Sequence, residues 1–157
     1  MRAIIQRVNS CAVSVEGQLL SQIGRGLLVL IGVARGDGLA ESDFMADKVL
    51  NLRVFPDAHG KMNLSVLETR GEVMVVSQFT LLGDCRKGRR PSFVSAEEPA
   101  RAEELYRAFT ETLASSGLSV ATGAFGAMMS VALENWGPVT LVIDSPPGAQ
   151  RAQPVLP

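Results

Sequence analysis

The residues with chemistry to offer sit where apolar runs stop. Val73-Met74-Val75-Val76 ends in Ser77-Gln78-Phe79-Thr80, a β-branched run of the kind buried inside a sheet that delivers hydroxyl and amide groups to its own end. Buried polar groups need partners, supplied by the adjoining backbone or by a ligand. Taken alone, a strand-end Ser or Thr most often just ties down the next turn. A second polar break, Asn135-Trp136-Gly137-Pro138-Val139-Thr140, falls between two strand-like runs near the other end of the chain, and two such breaks predict one site. Directly after the first lie Arg86, Lys87, Arg89 and Arg90, four cations within five positions. A basic loop beside a pocket suits phosphates while the pocket handles what the nucleic acid carries; its plainer reading is a solvated loop.

For ester hydrolysis the usual protein solution is a nucleophile, a base and a group that orients the base. That solution is hard to assemble here. His59 is the one imidazole, and Asp57-Ala58-His59-Gly60 reads as a surface turn. Cys85 lacks a second histidine to activate it and reads as a small apolar residue. Cys11 and Cys85 are too few for a disulfide framework, and the spacing of Cys and His suggests no metal site, so neither metal nor cofactor is expected. An activated ester instead calls for orientation and an oxyanion hole. Backbone N–H groups around Gln78, Phe79 and Thr80 suit that purpose. Without a visible base, the Thr80 hydroxyl reads as an orienting group before a nucleophile.

The elements that must position these groups follow from patterning. With 157 residues and 46% hydrophobic content the chain predicts one domain with a substantial core. Its longest apolar stretch, Leu27 to Val33, is too short to span a bilayer. Met1-Arg2-Ala3-Ile4-Ile5-Gln6-Arg7 carries no signal-peptide pattern, so a cytoplasmic protein is expected. A formal charge of −1 argues for local rather than broad contact with nucleic acid. Strands are predicted at Ala3 to Val8, Ala12 to Glu16, Leu19 to Ile23, Leu27 to Val33 and Val73 to Phe79, with three more at Leu118 to Thr122, Met128 to Glu134 and Val139 to Asp144. Helical spacing over Leu39 to Val54, and the stripe Ala102, Leu105, Tyr106, Phe109 and Leu113, predict two main helices, the second opened by a Ser95/Glu98 capping box. The order implies an α+β fold with a mixed, mostly antiparallel sheet. Residues 146–157, rich in Pro, Gln and Ala, predict a mobile tail after a domain over 1–145.

The stretches Ser77-Gln78-Phe79-Thr80-Leu81, Gly83-Asp84-Cys85-Arg86-Lys87-Gly88-Arg89-Arg90-Pro91-Ser92-Phe93, Gly137-Pro138-Val139-Thr140 and Met1 to Val8 together resemble the D-aminoacyl-tRNA deacylase family, from Met1 to about Asp144. The resemblance implies barrel-like curvature, a homodimer with active sites at the subunit interface, and hydrolysis of D-aminoacyl-tRNA at its 3′ end to free D-amino acid and tRNA. It places Ser77, Gln78, Phe79 and Thr80 around the terminal adenosine and scissile ester. Phe125 and Met129 then line the adenosine pocket, where composition alone reads them as core. The resemblance also implies that Gly137-Pro138 is cis and reaches the partner's site. Sequence alone favours a trans turn. A cis X-Pro bond turns two carbonyls to one side, where they accept the substrate ammonium and occupy the place of an L side chain. Glycine has no side chain to clash, so glycyl-tRNA is expected to be cleaved too. Arg7 corresponds to the residue that braces the dipeptide, against its reading as an exposed strand arginine in an ion pair. Trp136 is expected to stack on a base or ribose or to pack at the dimer contact. The alternative function is a non-catalytic tRNA or nucleic-acid binding module of the same fold.

Overall fold

The computed structural model describes residues 1–148, so the tail reading falls mostly outside the described residues. The molecule is built on one long antiparallel pair: β1 (Arg2–Val15) runs its whole length against β8 (Met129–Asp144). On its other side β1 pairs first with β3 (Gly26–Gly32) and then with β2 (Gln18–Ile23). Parallel pairing carries the sheet on from β3 to β6 (Glu72–Ser77) and β7 (Val120–Thr122). The hydroxyl of Ser21 on β2 donates to the Thr122 carbonyl on β7 at 2.8 Å, joining the two ends of the strand path into a nearly closed barrel.

Closure explains the composition of β3 and β6. Leu27, Val29, Ile31, Val73 and Val75 face an outer core, while Leu28, Met74 and Val76 face an inner one with Val8, Cys11, Val13 and Ile23. Strands buried on both faces read as unbroken apolar runs. The outer core is covered by α1 (Leu39–Asn51), which contributes Met45, Ala46 and Val49, and α3 (Pro99–Ala114), which contributes Leu105, Tyr106, Phe109 and Leu113. Between α1 and β6 lie a small hairpin, β4 (Phe55–Pro56) and β5 (Met62–Leu64), and the one-turn helix α2 (Val66–Thr69), none of which the patterning predicted. No helix among the described residues is long and apolar enough to cross a membrane.

Several boundaries differ from expectation. Ala3–Val8 and Ala12–Glu16 are one strand, its register shifting twice around Val8 instead of breaking. The runs on either side of Gly137-Pro138 are likewise one strand, with the dipeptide inside it. The central strand ends at Ser77, and Phe79–Leu82 forms a 3-10 turn. Ser95 caps nothing: Ala96 N–H and Glu97 N–H donate to the Phe93 and Val33 carbonyls, so α3 starts one turn later, with Glu98 as N-cap and Pro99 in the first turn.

Candidate active site

At the carboxyl ends of the parallel strands β6 and β7, where open α/β sheets commonly bind ligands, lies a cavity of about 430 Å³. Its floor is Val76, Ser77, Gln78 and Phe79. Its walls are Ala96, Glu97, Pro99 and Ala102 at the start of α3, Phe125 to Met128 from the β7–β8 turn, and Met129 and Val131 at the start of β8. Each wall is held from below. Gly123 N–H and the Tyr106 hydroxyl both donate to the Val75 carbonyl, each at 2.9 Å, fixing β7 and α3 to the strand that carries Ser77. The Phe125 ring packs on Tyr106 at 5.7 Å between centroids. Burial pushes the Tyr106 phenol up to about 12, so it stays a neutral donor. A Cβ at Gly123 would stand 2.6 Å from the Met129 sulfur, so a side chain there would displace the Met129 side chain at the cavity wall.

The polar strand end is wired for orientation. Gln78 N–H donates to the Ile31 carbonyl at 2.8 Å, so Ser77 and Gln78 are continuous with the sheet. The Gln78 side-chain amide donates to the Thr80 hydroxyl oxygen, leaving the Thr80 proton as that group's free donor. Leu81 N–H and Gly83 N–H close the turn onto the Gln78 and Thr80 carbonyls. The N–H groups of Phe79 and Thr80 donate to no backbone carbonyl among the described residues, as the first groups of a helical turn must. Two neighbouring free N–H groups at a cavity mouth are the raw material of an oxyanion hole. His59 lies elsewhere, on the exposed β4–β5 turn that Asp57 holds through the backbone N–H groups of His59 and Lys61. Among the described residues no three His, Cys, Asp or Glu side chains converge as metal ligands.

The second polar break is not in this cavity. Trp136 to Val139 bulge from β8 opposite a single β1 residue, Arg7, between the pairs Val8↔Asn135 and Gln6↔Thr140. The Asn135 side chain closes the bulge as a strand neighbour would, donating to the Val139 carbonyl at 3.2 Å and accepting from Val139 N–H at 2.9 Å. The Gly137-Pro138 bond is cis. Arg7 is buried, not exposed, and forms no ion pair among the described residues: its guanidinium donates to the Trp136 carbonyl at 3.0 Å and to the Val54 carbonyl, and lies over the Trp136 ring. Burial lowers its pKa.

Register separates the two breaks within one chain. Arg7 pairs with Leu27 and Leu27 with Val73, whereas Ser77 pairs with Ile31. Gly137 therefore sits about 13 Å from Ser77 along the strands and about three strand spacings to the side. The expectation of one site from two breaks fails for a single subunit, because strand register puts the breaks at opposite ends of β6. Trp136 is half-buried against Phe55 and lies under two guanidiniums of its own chain.

The basic loop hangs beside the cavity on the bridge Asp84↔Ser92, anchored by Phe93, which packs edge-on against Phe79 at 5.1 Å. Its charge is smaller than its sequence suggests. Arg86 turns back on Asp84 at 2.6 Å and holds that carboxyl down to about 2. Lys87, Arg89 and Arg90 are exposed. The α3 start, with the half-buried Glu97, was missed in sequence because the capping-box signature placed the helix start too early.

The family described as D-Tyr-tRNA(Tyr) deacylase matches residues 4–144. A D-aminoacyl-tRNA deacylase of Myxococcus xanthus (strain DK1622) is 58% identical over 146 residues, 93% of this chain and 95% of that protein. One from Aquifex aeolicus (strain VF5) is 54% identical over 145 residues, 92% and 98% of the two chains. A solved structure titled c-Myc DNA Unwinding Element Binding Protein superposes with a TM-score of 0.87 at 42% identity, covering 93% of this chain and 99% of the other. A structure titled as that of a probable eukaryotic D-amino acid tRNA deacylase has a TM-score of 0.78 at 17% identity and shares the fold.

Proposed function

The chain belongs to the D-Tyr-tRNA(Tyr) deacylase family, and from that premise we propose that it hydrolyses the ester of D-aminoacyl-tRNA, and of glycyl-tRNA, without help from a protein base. The observation that carries the mechanism is the pair of unclaimed N–H groups at Phe79 and Thr80, at the mouth of the cavity that Ser77 and Gln78 line. Water adds to the ester carbonyl; the developing oxyanion is met by those N–H groups and the Thr80 proton. The tetrahedral intermediate then expels the ribose 3′ oxygen, which leaves with a proton as the amino acid departs as its carboxylate. The vicinal 2′-hydroxyl lies close enough to position water or relay that proton. The volume suits a terminal adenosine with its aminoacyl group, Phe125 and Met129 meeting the base.

The enzyme acts as a homodimer in which Gly137-Pro138 of one subunit completes the cavity of the other. Two features support this. One chain keeps the dipeptide and the cavity apart, and among the described residues β8 pairs only with β1, leaving an edge that carries exposed Val142, with exposed Met128 just before the strand. Gly137 and Pro138 carbonyls then accept the ammonium and occupy the space an L side chain needs, so handedness is read without regard to side-chain identity. Glycine passes.

The name of the 42%-identical neighbour favours one second reading, a nucleic-acid binding module without turnover. Incubation of D-tyrosyl-, L-tyrosyl- and glycyl-tRNA with the protein under chelator, following ester loss, separates the two. Loss of the D and glycyl esters with the L ester spared is the expected result, unchanged in His59→Ala. Tight binding of duplex DNA or tRNA with no D-selective turnover establishes the module instead.

A further inference from the structure

Trp136 is the one tryptophan in the chain, and its half-buried ring is held, among the described residues, by packing and cation–π contacts alone. The loop backbone is fixed by Asn135 and by the Arg7 bond to the Trp136 carbonyl. Among the described residues no hydrogen bond holds the indole N–H, so the ring depends on what lies against it. Phe55 sits at 6.3 Å between centroids. Two guanidiniums lie over the ring, Arg7 at 4.3 Å and Arg25 at 4.8 Å from its centroid.

The two arginines differ in what else they do. Arg7 is buried and committed to two backbone carbonyls. Arg25 is exposed, its guanidinium meets no carboxylate among the described residues, and its backbone is tied to β6 by Glu72 N–H donating to its carbonyl at 3.0 Å. The indole is then the group that gives the Arg25 side chain a fixed place, and Arg25 adds a second cation over the ring beside Arg7. With Arg70, Thr69, Gly71 and Pro56 it lines a shallow cleft of about 280 Å³ around the ring, room into which an unpinned indole would swing. The neighbouring Gly137 has no slack. It sits at φ +134°, and its Cβ position lies 2.8 Å from an Arg7 nitrogen.

We propose that Arg25 is a positioning residue for the Gly137-Pro138 loop, acting through the Trp136 indole to set how strictly one enantiomer is refused. The inference rests on the chiral role assigned to that dipeptide above. Arg25 touches neither substrate nor reacting atoms in this reading; it narrows the range of positions the dipeptide carbonyls sample. A cation over an indole at a partly exposed site contributes enough to shift discrimination about five- to tenfold.

The test uses the full chain and the single fluorophore. In Arg25→Ala, the ratio of kcat/KM for L-tyrosyl-tRNA over D-tyrosyl-tRNA rises about five- to tenfold. Acrylamide quenching of Trp136 rises with it, and the unfolding midpoint stays close to that of the unaltered protein. Arg25→Lys, which keeps a cation over the ring, regains most of both. A ratio and quenching that do not move in Arg25→Ala overturn the proposal, as does a lowered midpoint with an unmoved ratio, which makes Arg25 a stabilising residue only. Absence of D-selective turnover in the unaltered protein removes the functional reading instead. Quenching then decides alone, an indole exposed by Arg25→Ala and covered again by Arg25→Lys supporting the pin and an unchanged one overturning it.

Discussion

In the proposed reaction, Gly137 and Thr80 carry the two halves of the chemistry, chiral selection and oxyanion stabilisation. At Gly137, φ is +134°, and a methyl group would meet Arg7 Nη2 at 2.8 Å and the Val139 side chain at 2.9 Å, so Gly137→Ala is strained twice over. One of those contacts is a guanidinium already spent on backbone carbonyls, so the loop moves instead of Arg7. Deacylation of D-tyrosyl-tRNA is expected to fall at least about tenfold, with the L-to-D ratio rising; single-turnover assays on both esters read this. At Thr80 the hydroxyl accepts from Gln78 and no base is hydrogen-bonded to it among the described residues, so in the proposed reaction it polarises and orients. Thr80→Ser keeps near-normal turnover, while Thr80→Val loses about a hundred- to a thousandfold, the scale of a lost transition-state donor. Total inactivity of Thr80→Val with an acyl-enzyme trapped on the unaltered protein would make the hydroxyl a nucleophile. Both residues were legible as polar breaks in apolar runs. Arg7 was legible only through the family resemblance and not from patterning, because its carbonyl partners, Val54 and Trp136, lie 47 and 129 positions away in sequence and carbonyl groups have no sequence signature.

Elements explain why some boundaries were readable and others were not. The stripe from Ala102 to Leu113 and the apolar runs of β3 and β6 are local patterns, and the structure keeps them. Strand continuity is not local. Asn135-Trp136-Gly137-Pro138 reads as the end of a strand, since proline rarely sits inside one; β8 continues because the Asn135 amide stands in for the missing ladder bonds and β1 runs unbroken opposite it. The link between α3 and β6 gives a prediction at this scale. The Tyr106 hydroxyl donates to the Val75 carbonyl at 2.9 Å, and Tyr106→Phe leaves that carbonyl with the Gly123 bond alone. The loss costs about 1 kcal/mol, a fall of roughly 2–4 °C in Tm for a chain of this size. Burial raises the phenol from 10.0 to about 12. A raised folded-state pKa means the stability it brings is complete below pH 10 and is lost as pH climbs toward 12. The unaltered protein therefore loses stability over that window, and the Phe variant, with nothing to ionise, loses less; denaturant midpoints taken from pH 8 to 12 measure the difference.

On the scale of the molecule, near-neutral charge confines the proposed RNA contact to a local patch, and the proposed dimer is what completes the site beside it. With Arg86 held by Asp84, three cations face solvent on the loop beside the cavity. Replacing Lys87, Arg89 and Arg90 by alanine is expected to weaken tRNA binding and flatten its salt dependence by about 2 in log–log slope if all three meet a single strand. Hydrolysis of a D-aminoacyl-adenosine without the stem is expected to stay unchanged; loss of that activity as well would place the loop in the chemistry. The dimer itself is tested by subunit mixing. Gly137→Val spoils the loop a subunit lends and Ser77→Arg fills the cavity it owns, so each homodimer has two defective sites. If the loop acts in trans, the mixed dimer gathers both defects at one interface and leaves the other intact. Random exchange then restores about a quarter of normal activity. If the loop serves its own subunit's cavity, every site stays defective and nothing returns, whatever sedimentation says of the oligomer.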